Sequence, residues 1–388
     1  MCHIKCSSFS YWGQNSYGAT HRDTANFQQH LSNYCGSDSV INVIPLAFLN
    51  VFFGSGGQPS IHLANTCNPT DNATFPGTDL PNCAALASDI QTCQAKGKIV
   101  TLSLGGATGA VGFSSDTQAR TFADTIWNDF LGGSSSTRPF GNAILDGIDL
   151  DIESGSSAFY DEFVEQISYY VTATPHCAFP DPILGGVINT IGFDAIYVQF
   201  CKFCGLQNFS NQHAWNFGTW GGWAKTVSPN KNVKVFIGVP ASSSAADSGY
   251  VDPATLATII QQTKAQYSSF GGVMLWDASQ AYANNPFDIS AKNARTGGSS
   301  SSSNSQSPTS NTCSNVLPWS SSIAYTGGMQ VVYNDDNSDH LWTAKEWSEA
   351  NFPGGAAGLW TDDGSCRVGT PSALVPAAPA PAHEPVRY

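Results

Sequence analysis

The feature that most restricts the fold is a rhythm: short apolar, β-branched runs alternate with stretches of helical periodicity, the mark of a parallel α/β architecture. The candidate strands are Phe9–Gln14, Ile41–Asn50, Lys98–Gly106, Gly147–Glu153, Tyr169–Pro175, Ala195–Phe200, Lys234–Pro240 and Gly271–Asp277. Between them, Thr117–Phe130 places its apolar residues at helical spacing, and Pro253–Tyr267 opens on Asp252-Pro253, a helix-start signal. Eight strands alternating with helices predict a closed (β/α)8 barrel. An open doubly wound sheet is the alternative, but no Gly-rich phosphate loop supports it. Polar or aromatic residues end most strands: Gln14, Asn50, Gly105-Gly106, Glu153, Gln199 and Trp276. Barrel enzymes put their chemistry at that face.

The fourth strand carries Asp146-Gly147-Ile148-Asp149-Leu150-Asp151-Ile152-Glu153. Alternate side chains share a face, so Asp149, Asp151 and Glu153 point together, opposite Ile148, Leu150 and Ile152. Inside a barrel, three stacked carboxylates cannot all ionise cheaply, and at least one should hold its proton near neutrality. Glu153, outermost and with the longest arm, is the expected acid. Asp151 cannot be the nucleophile of a two-carboxylate glycosidase, because it lies only about 6.6 Å along the same strand face. A lone acid with helper carboxylates fits substrate-assisted catalysis, in which a sugar's own 2-acetamido oxygen attacks. Asp151 would orient the acetamide N–H, and Asp149 would share a proton with Asp151. The bland reading, a half-exposed strand whose acids face water, is weakened by the barrel-type flanking strands.

The pattern DxxDxDxE resembles the signature of family 18 glycoside hydrolases. Tyr11-Trp12-Gly13-Gln14-Asn15, Ala47-Phe48-Leu49-Asn50, Ser103-Leu104-Gly105-Gly106, Tyr197-Val198-Gln199-Phe200 and Gly271–Trp276 are similar to the hevamine-like class III chitinases. The resemblance implies a barrel and retaining hydrolysis of β-1,4-linked N-acetylglucosamine through an oxazolinium intermediate, without a cofactor. It implies Glu153 as catalytic acid, Asp151 as the acetamide-orienting residue, and Trp276 as the floor under the reacting sugar. Gln14, Asn50, Gly106 and Gln199 fall at cleft-lining positions. It also implies disulfides Cys35–Cys93, Cys67–Cys83 and Cys177–Cys204. Read alone, Trp276 could as well be a packed core residue, and buried amides often only satisfy backbone groups. His176 and His213 have no metal-ligand spacing and read as structural or exposed.

Three departures stand out. Cys201 follows Gln199-Phe200 where the family carries a tyrosine, whose hydroxyl steadies the acetamide oxygen; losing such a donor costs on the order of 10² to 10³ in rate. Phe203 has no hydroxyl and cannot replace it. Asp161–Ile167 runs almost directly into the next strand, leaving little room for a barrel helix. The first strand begins Cys6-Ser7-Ser8-Phe9-Ser10, where an apolar run would be expected.

The organisation expected is a catalytic domain at 1–296, a Ser/Gly-rich linker at 297–312, a small module at 313–368 and a disordered Ala/Pro-rich tail at 369–388. The module resembles family 5 chitin-binding modules through Trp319, Ala324–Gly328, Val331-Val332-Tyr333, Leu341–Lys345, Trp347 and Trp360. Trp342 and Trp360 are expected in its core. Trp347, among polar neighbours, and Tyr325, beside a Gly-Gly turn, are expected on its sugar-stacking face. So short a domain calls for a staple, expected between Cys313 and Cys366.

A formal charge of −13 argues against nucleic acid or an anionic membrane as partner, and an uncharged polymer is compatible with it. Chitin and chito-oligosaccharides are the expected partners, bound by a monomer. Eleven cysteines point to an oxidising compartment, as do the glycosylation acceptors at Asn72 and Asn208, although Met1–Ser10 lacks an apolar stretch of secretory length. An exported endochitinase is the leading expectation. A barrel-fold chitin-binding protein with weak or no activity is the rival, because of Cys201. Hydrolysis of glycoprotein glycans is a third possibility.

Overall fold

In the computed structural model the described residues are 7–36, 41–167, 169–201, 204–211, 214–284, 287–289, 291, 311–312, 319–321, 324–325, 330–335, 338–345, 348–355 and 357–367. The chain divides into two compact units, 1–302 and 303–388.

The first unit holds eight parallel strands: β1 Ser7–Ser10, β2 Val43–Val51, β4 Ile99–Gly105, β5 Gly147–Asp151, β6 Tyr170–Ala173, β7 Ala195–Gln199, β8 Lys234–Pro240 and β9 Phe270–Trp276. They pair in ring order, and β1 closes the ring by pairing with both β9 and β2. A two-residue strand, β3 Ser60–Ile61, lies antiparallel on β2. The barrel is therefore closed, with no open edge between its eight strands, and the expected fold class holds for this unit.

Strand alternation sorts the side chains into two layers. Phe9, Tyr11, Val43, Ala47, Phe48, Ala195, Tyr197, Phe236 and Met274 cluster inside the barrel. A larger cluster that includes Ile148, Leu150 and Ile152 lies between the barrel and its helices. The helix α3 (Asp116–Phe130) contributes Ala119, Phe122, Ala123, Ile126 and Phe130 to that layer. Ser115 caps it by accepting from the Gln118 N–H, and α7 (Pro253–Gln266) is capped by Asp252, which accepts from Ala254 and Thr255. Three disulfides, Cys35–Cys93, Cys67–Cys83 and Cys177–Cys204, fix the loops around the barrel. Among the described residues no helix is long and apolar enough to cross a membrane.

The irregular places read from sequence have structural counterparts. The helix α4 (Tyr160–Gln166) has 7 residues, and β6 has 4. The strand β6 meets β7 only through Thr172–Ala195 and Ala173–Ile196. Phe9 in β1 and Tyr11 just past it point inward, so Ser8 and Ser10 face the helix layer; both are buried and neither hydroxyl has a partner.

In the second unit, β12 (Gln330–Asp335), β13 (Ser338–Ala344) and β15 (Trp360–Arg367) form an antiparallel sheet, with β10 (Asn311–Thr312) parallel to β15. A second pair joins β11 (Ala324–Tyr325) to β14 (Ser348–Glu349). Trp342 and Trp360 are buried, and so is Tyr325, which corrects its expected place on a sugar-stacking face. Its ring packs edge-on against Trp360 at 5.2 Å, and its hydroxyl accepts from the Ser320 N–H. A unit this small needs its large rings for the core. Trp347 and the Cys313–Cys366 pairing lie outside the described residues.

Candidate active site

The strand β5 ends at Asp151, and Glu153 stands two residues beyond the ladder, at the rim. Asp149 is fully buried and Asp151 is 3% exposed, whereas the Glu153 side chain is 22% exposed. The carboxylates thus form a depth series from barrel interior to cleft.

Asp149 sits in a cage of hydroxyl donors: Ser103 and Thr172 on the flanking strands β4 and β6, Thr174 just past β6, and Tyr11 just past β1 across the barrel. Tyr11 Oη donates to Oδ2 at 2.6 Å, Ser103 Oγ to Oδ2 at 2.7 Å, and Thr172 Oγ1 to Oδ1 at 2.7 Å. Thr174 lies within 3.2 Å of Oδ1 and shares a 2.6 Å hydrogen bond with Tyr11. Burial raises the Asp149 pKa, and these hydrogen bonds oppose the rise. Asp151 has less help. Gln199 Nε2 donates to its Oδ1 at 3.0 Å, while burial, then the charges of Glu153 and Asp149, push its pKa well above the usual carboxylate range. Burial thus raises both of the inner carboxyl groups of the series.

Two adjoining pockets, of about 230 and 410 Å³, share Ala107, Glu153 and Trp276. The first continues along Asp151, Gln199, Cys201 and Met274; the second along Gln14, Asn50, His62 and Gly106. Every cleft residue expected from the sequence lines one or both pockets. Trp276 stacks on Phe48 at 5.9 Å and 20°, and Tyr11 packs against it at 5.5 Å, so one face of its ring is set by the barrel interior. Gln14 spends its Nε2 on the Ala47 and His62 carbonyls, at 2.8 and 2.9 Å. At Gly106, where φ is +81°, a Cβ would come within 2.8 Å of the Phe48 ring. The backbone there can line the groove only as glycine.

Cys201 occupies the cleft wall beside Gln199. Its carbonyl accepts from Ser248 Oγ at 2.6 Å, and Gly249 packs against its backbone from behind. Among the described residues the one tyrosine lining these pockets is Tyr11, whose hydroxyl is committed to Asp149 and Thr174.

Sequence reasoning missed Tyr11 and Thr174 as parts of the site. Tyr11 follows β1, across the barrel from β5, and Thr174 follows β6, so their meeting at Asp149 had no signal in the sequence. It also left His176 as merely structural or exposed. In the structure His176 Nε2 lies 3.8 Å from Glu153 Oε2, and its Nδ1 lies 3.3 Å from Asp181. His213 lies outside the described residues.

Solved structures share this architecture. The ICChI chitinase from Ipomoea carnea is 32% identical, with a TM-score of 0.60 over 74% of this chain and 99% of that one. The xylanase and α-amylase inhibitor protein XAIP-II from Scadoxus multiflorus is 31% identical, with a TM-score of 0.59 over 76% of this chain and 99% of that one. Chitinase 1 of Rhizopus niveus is 50% identical over 71% of this chain and 55% of its own length. The chain spans about half the length of such curated relatives. Residues 8–250 match the profile of glycosyl hydrolases family 18, and the chain belongs to that family.

Proposed function

We propose that the protein is an endochitinase, cleaving β-1,4 bonds of N-acetylglucosamine polymers with retention of configuration. The observation that carries this reading is a groove passing Glu153 on both sides, with Asp151 in its wall and Trp276 shared by its two halves. A groove open past the acid accepts a chain in mid-polymer. Glu153 protonates the glycosidic oxygen as the bond to C1 breaks, and the acetamide carbonyl oxygen of the same sugar bonds to C1. Asp151, pinned by Gln199, accepts the acetamide N–H; a protonated carboxyl still does so through its carbonyl oxygen. Asp149 shares the proton that Asp151 holds. Glu153, now a carboxylate, takes a proton from the water that opens the cyclic intermediate. Trp276 supplies a flat surface under the reacting sugar.

The domain plan proposed is catalytic residues 1–296, linker 297–312, a disulfide-stapled chitin-binding module 313–368 with Trp347 on its binding face, and a tail 369–388. The three disulfides of the barrel support an exported protein, since such bonds persist in oxidising compartments. A second reading, a chitin-binding barrel with weak or no turnover, draws on Cys201 in the cleft wall and on the inhibitor protein XAIP-II sharing the fold.

Release of soluble chito-oligosaccharides from chitin decides between the two. Glu153→Gln is expected to cut release by about 10² to 10⁴-fold while the melting temperature stays unchanged. Binding without product in the unaltered protein favours the second reading, and undiminished turnover by the variant refutes the mechanism.

A further inference from the structure

The half of the groove that holds Gln14, Asn50 and Gly106 contains a further polar side chain, His62, for which the mechanism has no use. His62 follows β3 and is fixed through its backbone. It exchanges both backbone hydrogen bonds with Phe48, at 2.9 and 3.1 Å, and its carbonyl also accepts from Gln14 Nε2 at 2.9 Å. Phe48 is the residue stacked on Trp276, so the place of His62 is tied to the cleft floor. Just beyond, the chain turns at Ala64, whose φ is +44°. That turn is itself tied down. Asn68 Nδ2 donates to the Ala64 carbonyl at 2.9 Å, and Leu63 pairs across the turn with Cys67, which is bridged to Cys83. The ring of His62 is thus carried on a rigid mount, as a preorganised ligand contact requires.

The residue is exposed, and the two ring nitrogens have different tasks. Nδ1 accepts the backbone N–H of Ala64 at 3.3 Å. A nitrogen that accepts carries no hydrogen, so the proton of the neutral ring is on Nε2, which is left to donate. Donors are scarce in this half of the groove. Gln14 spends its Nε2 on the Ala47 and His62 carbonyls, and the Gly106 N–H is taken by the Asp151 carbonyl at 2.8 Å. Asn50, Thr108 and His62 are the lining side chains left to offer an N–H or O–H. An N-acetylglucosamine unit presents hydroxyl and acetamide oxygens, all of which accept. His62 lines this half alone, whereas Asp151, which takes the reacting acetamide, lines only the other. The sugar that meets His62 is therefore a neighbour of the reacting one, and a contact there holds ground state and transition state alike.

We propose that His62 is a substrate-binding residue of this groove half, donating from Nε2 to a hydroxyl or acetamide oxygen of a sugar beyond the reacting one. The inference rests on the endochitinase reading, and the test separates the two. kcat and KM on chitohexaose are measured for the unaltered full chain, His62→Ala, His62→Asn and His62→Gln. KM does not depend on how much of a sample is folded, so partial destabilisation of a variant leaves the comparison intact. Asparagine keeps an acceptor near Nδ1 for the Ala64 N–H but has no atom at Nε2. Glutamine brings an amide N–H to the place of Nε2. His62→Ala and His62→Asn should each raise KM about fivefold and leave kcat within about twofold, the mark of lost uniform binding. His62→Gln should bring KM back to within about twofold of the unaltered value. An unchanged KM in His62→Ala overturns the proposal. So does a KM restored by His62→Asn, because the ring would then serve only the turn at Ala64. Absence of product from the unaltered protein overturns the endochitinase reading itself, and the role of His62 in hydrolysis with it.

Discussion

The two walls of the cleft are built to different standards. The β5 wall carries Asp149 in a cage of hydroxyls from Tyr11, Ser103, Thr172 and Thr174, and β5 pairs with β4 over its whole length, from Gly147 to Asp151. The wall beyond β6 is thin. There β6 meets β7 at two residue pairs, the preceding helix has 7 residues, and Cys201 holds the position where a tyrosine hydroxyl is expected. In the proposed mechanism the first wall protonates the leaving group and the second supports the attacking acetamide oxygen. A buried network tolerates no missing member, because each unpaired polar group there costs its full desolvation. A residue on a loop past the strand end is held by its backbone, here through Ser248 and the Cys177–Cys204 bridge nearby, so its side chain can change without loss of the fold.

The largest test of that contrast restores the depleted wall. Cys201→Tyr places a phenol in a cleft that has no uncommitted one among the described residues, and kcat on chito-oligosaccharides should rise by about 10² to 10³-fold, measured at constant substrate and pH. No gain would mean that the shortened segment aims the side chain elsewhere, and that the two walls differ in backbone as well as in chemistry.

The intact wall predicts a pH effect on stability. The folded-state pKa values of Asp149 and Asp151 are raised, mainly by burial, so in the folded protein they keep protons that the unfolded chain has already released. Their contribution is fully present below the unfolded carboxylate pKa of about 3.9 and is lost as pH rises through the folded values. The melting temperature should fall across that window, and Asp151→Asn, which cannot ionise, should flatten the fall. A variant whose melting curve tracks the unaltered protein across the same pH range would place the cost of the cluster elsewhere.

The same contrast explains what was legible in the sequence. All eight barrel strands could be read, because strands buried on both faces must be continuously apolar or alternate with a barrel-facing residue. Their ends could not: β1 stops at Ser10 and β5 at Asp151, since a ladder ends where its neighbour ends. The acids and the cleft residues Gln14, Asn50, Gly106, Gln199 and Trp276 were legible from strand-end position and family pattern. Tyr11 and Thr174 were not, because their role depends on which neighbour they meet across the barrel. His176 was dismissed for lack of metal spacing, a criterion blind to a partner that sits on another strand. Tyr325 was misplaced because adjacency to a turn does not say which way a ring points.

The smallest expected effect concerns β1, the strand whose serines break the apolar pattern. Ser8 and Ser10 lie buried against the helix layer with hydroxyls that meet no partner, a placement that costs about 1 kcal/mol or more for each group. Ser10→Ala removes the polar atom and adds no volume, so it should stabilise the barrel by about 1 kcal/mol, read as a shift in the denaturation midpoint at constant slope. Ser8→Ala should add to it. The inner residues Phe9 and Tyr11 are untouched by either change, so the Asp149 cage and the pH profile should stay as they were. Stabilisation without a kinetic change would locate this flaw in packing alone, on the face of the strand turned away from the carboxylates.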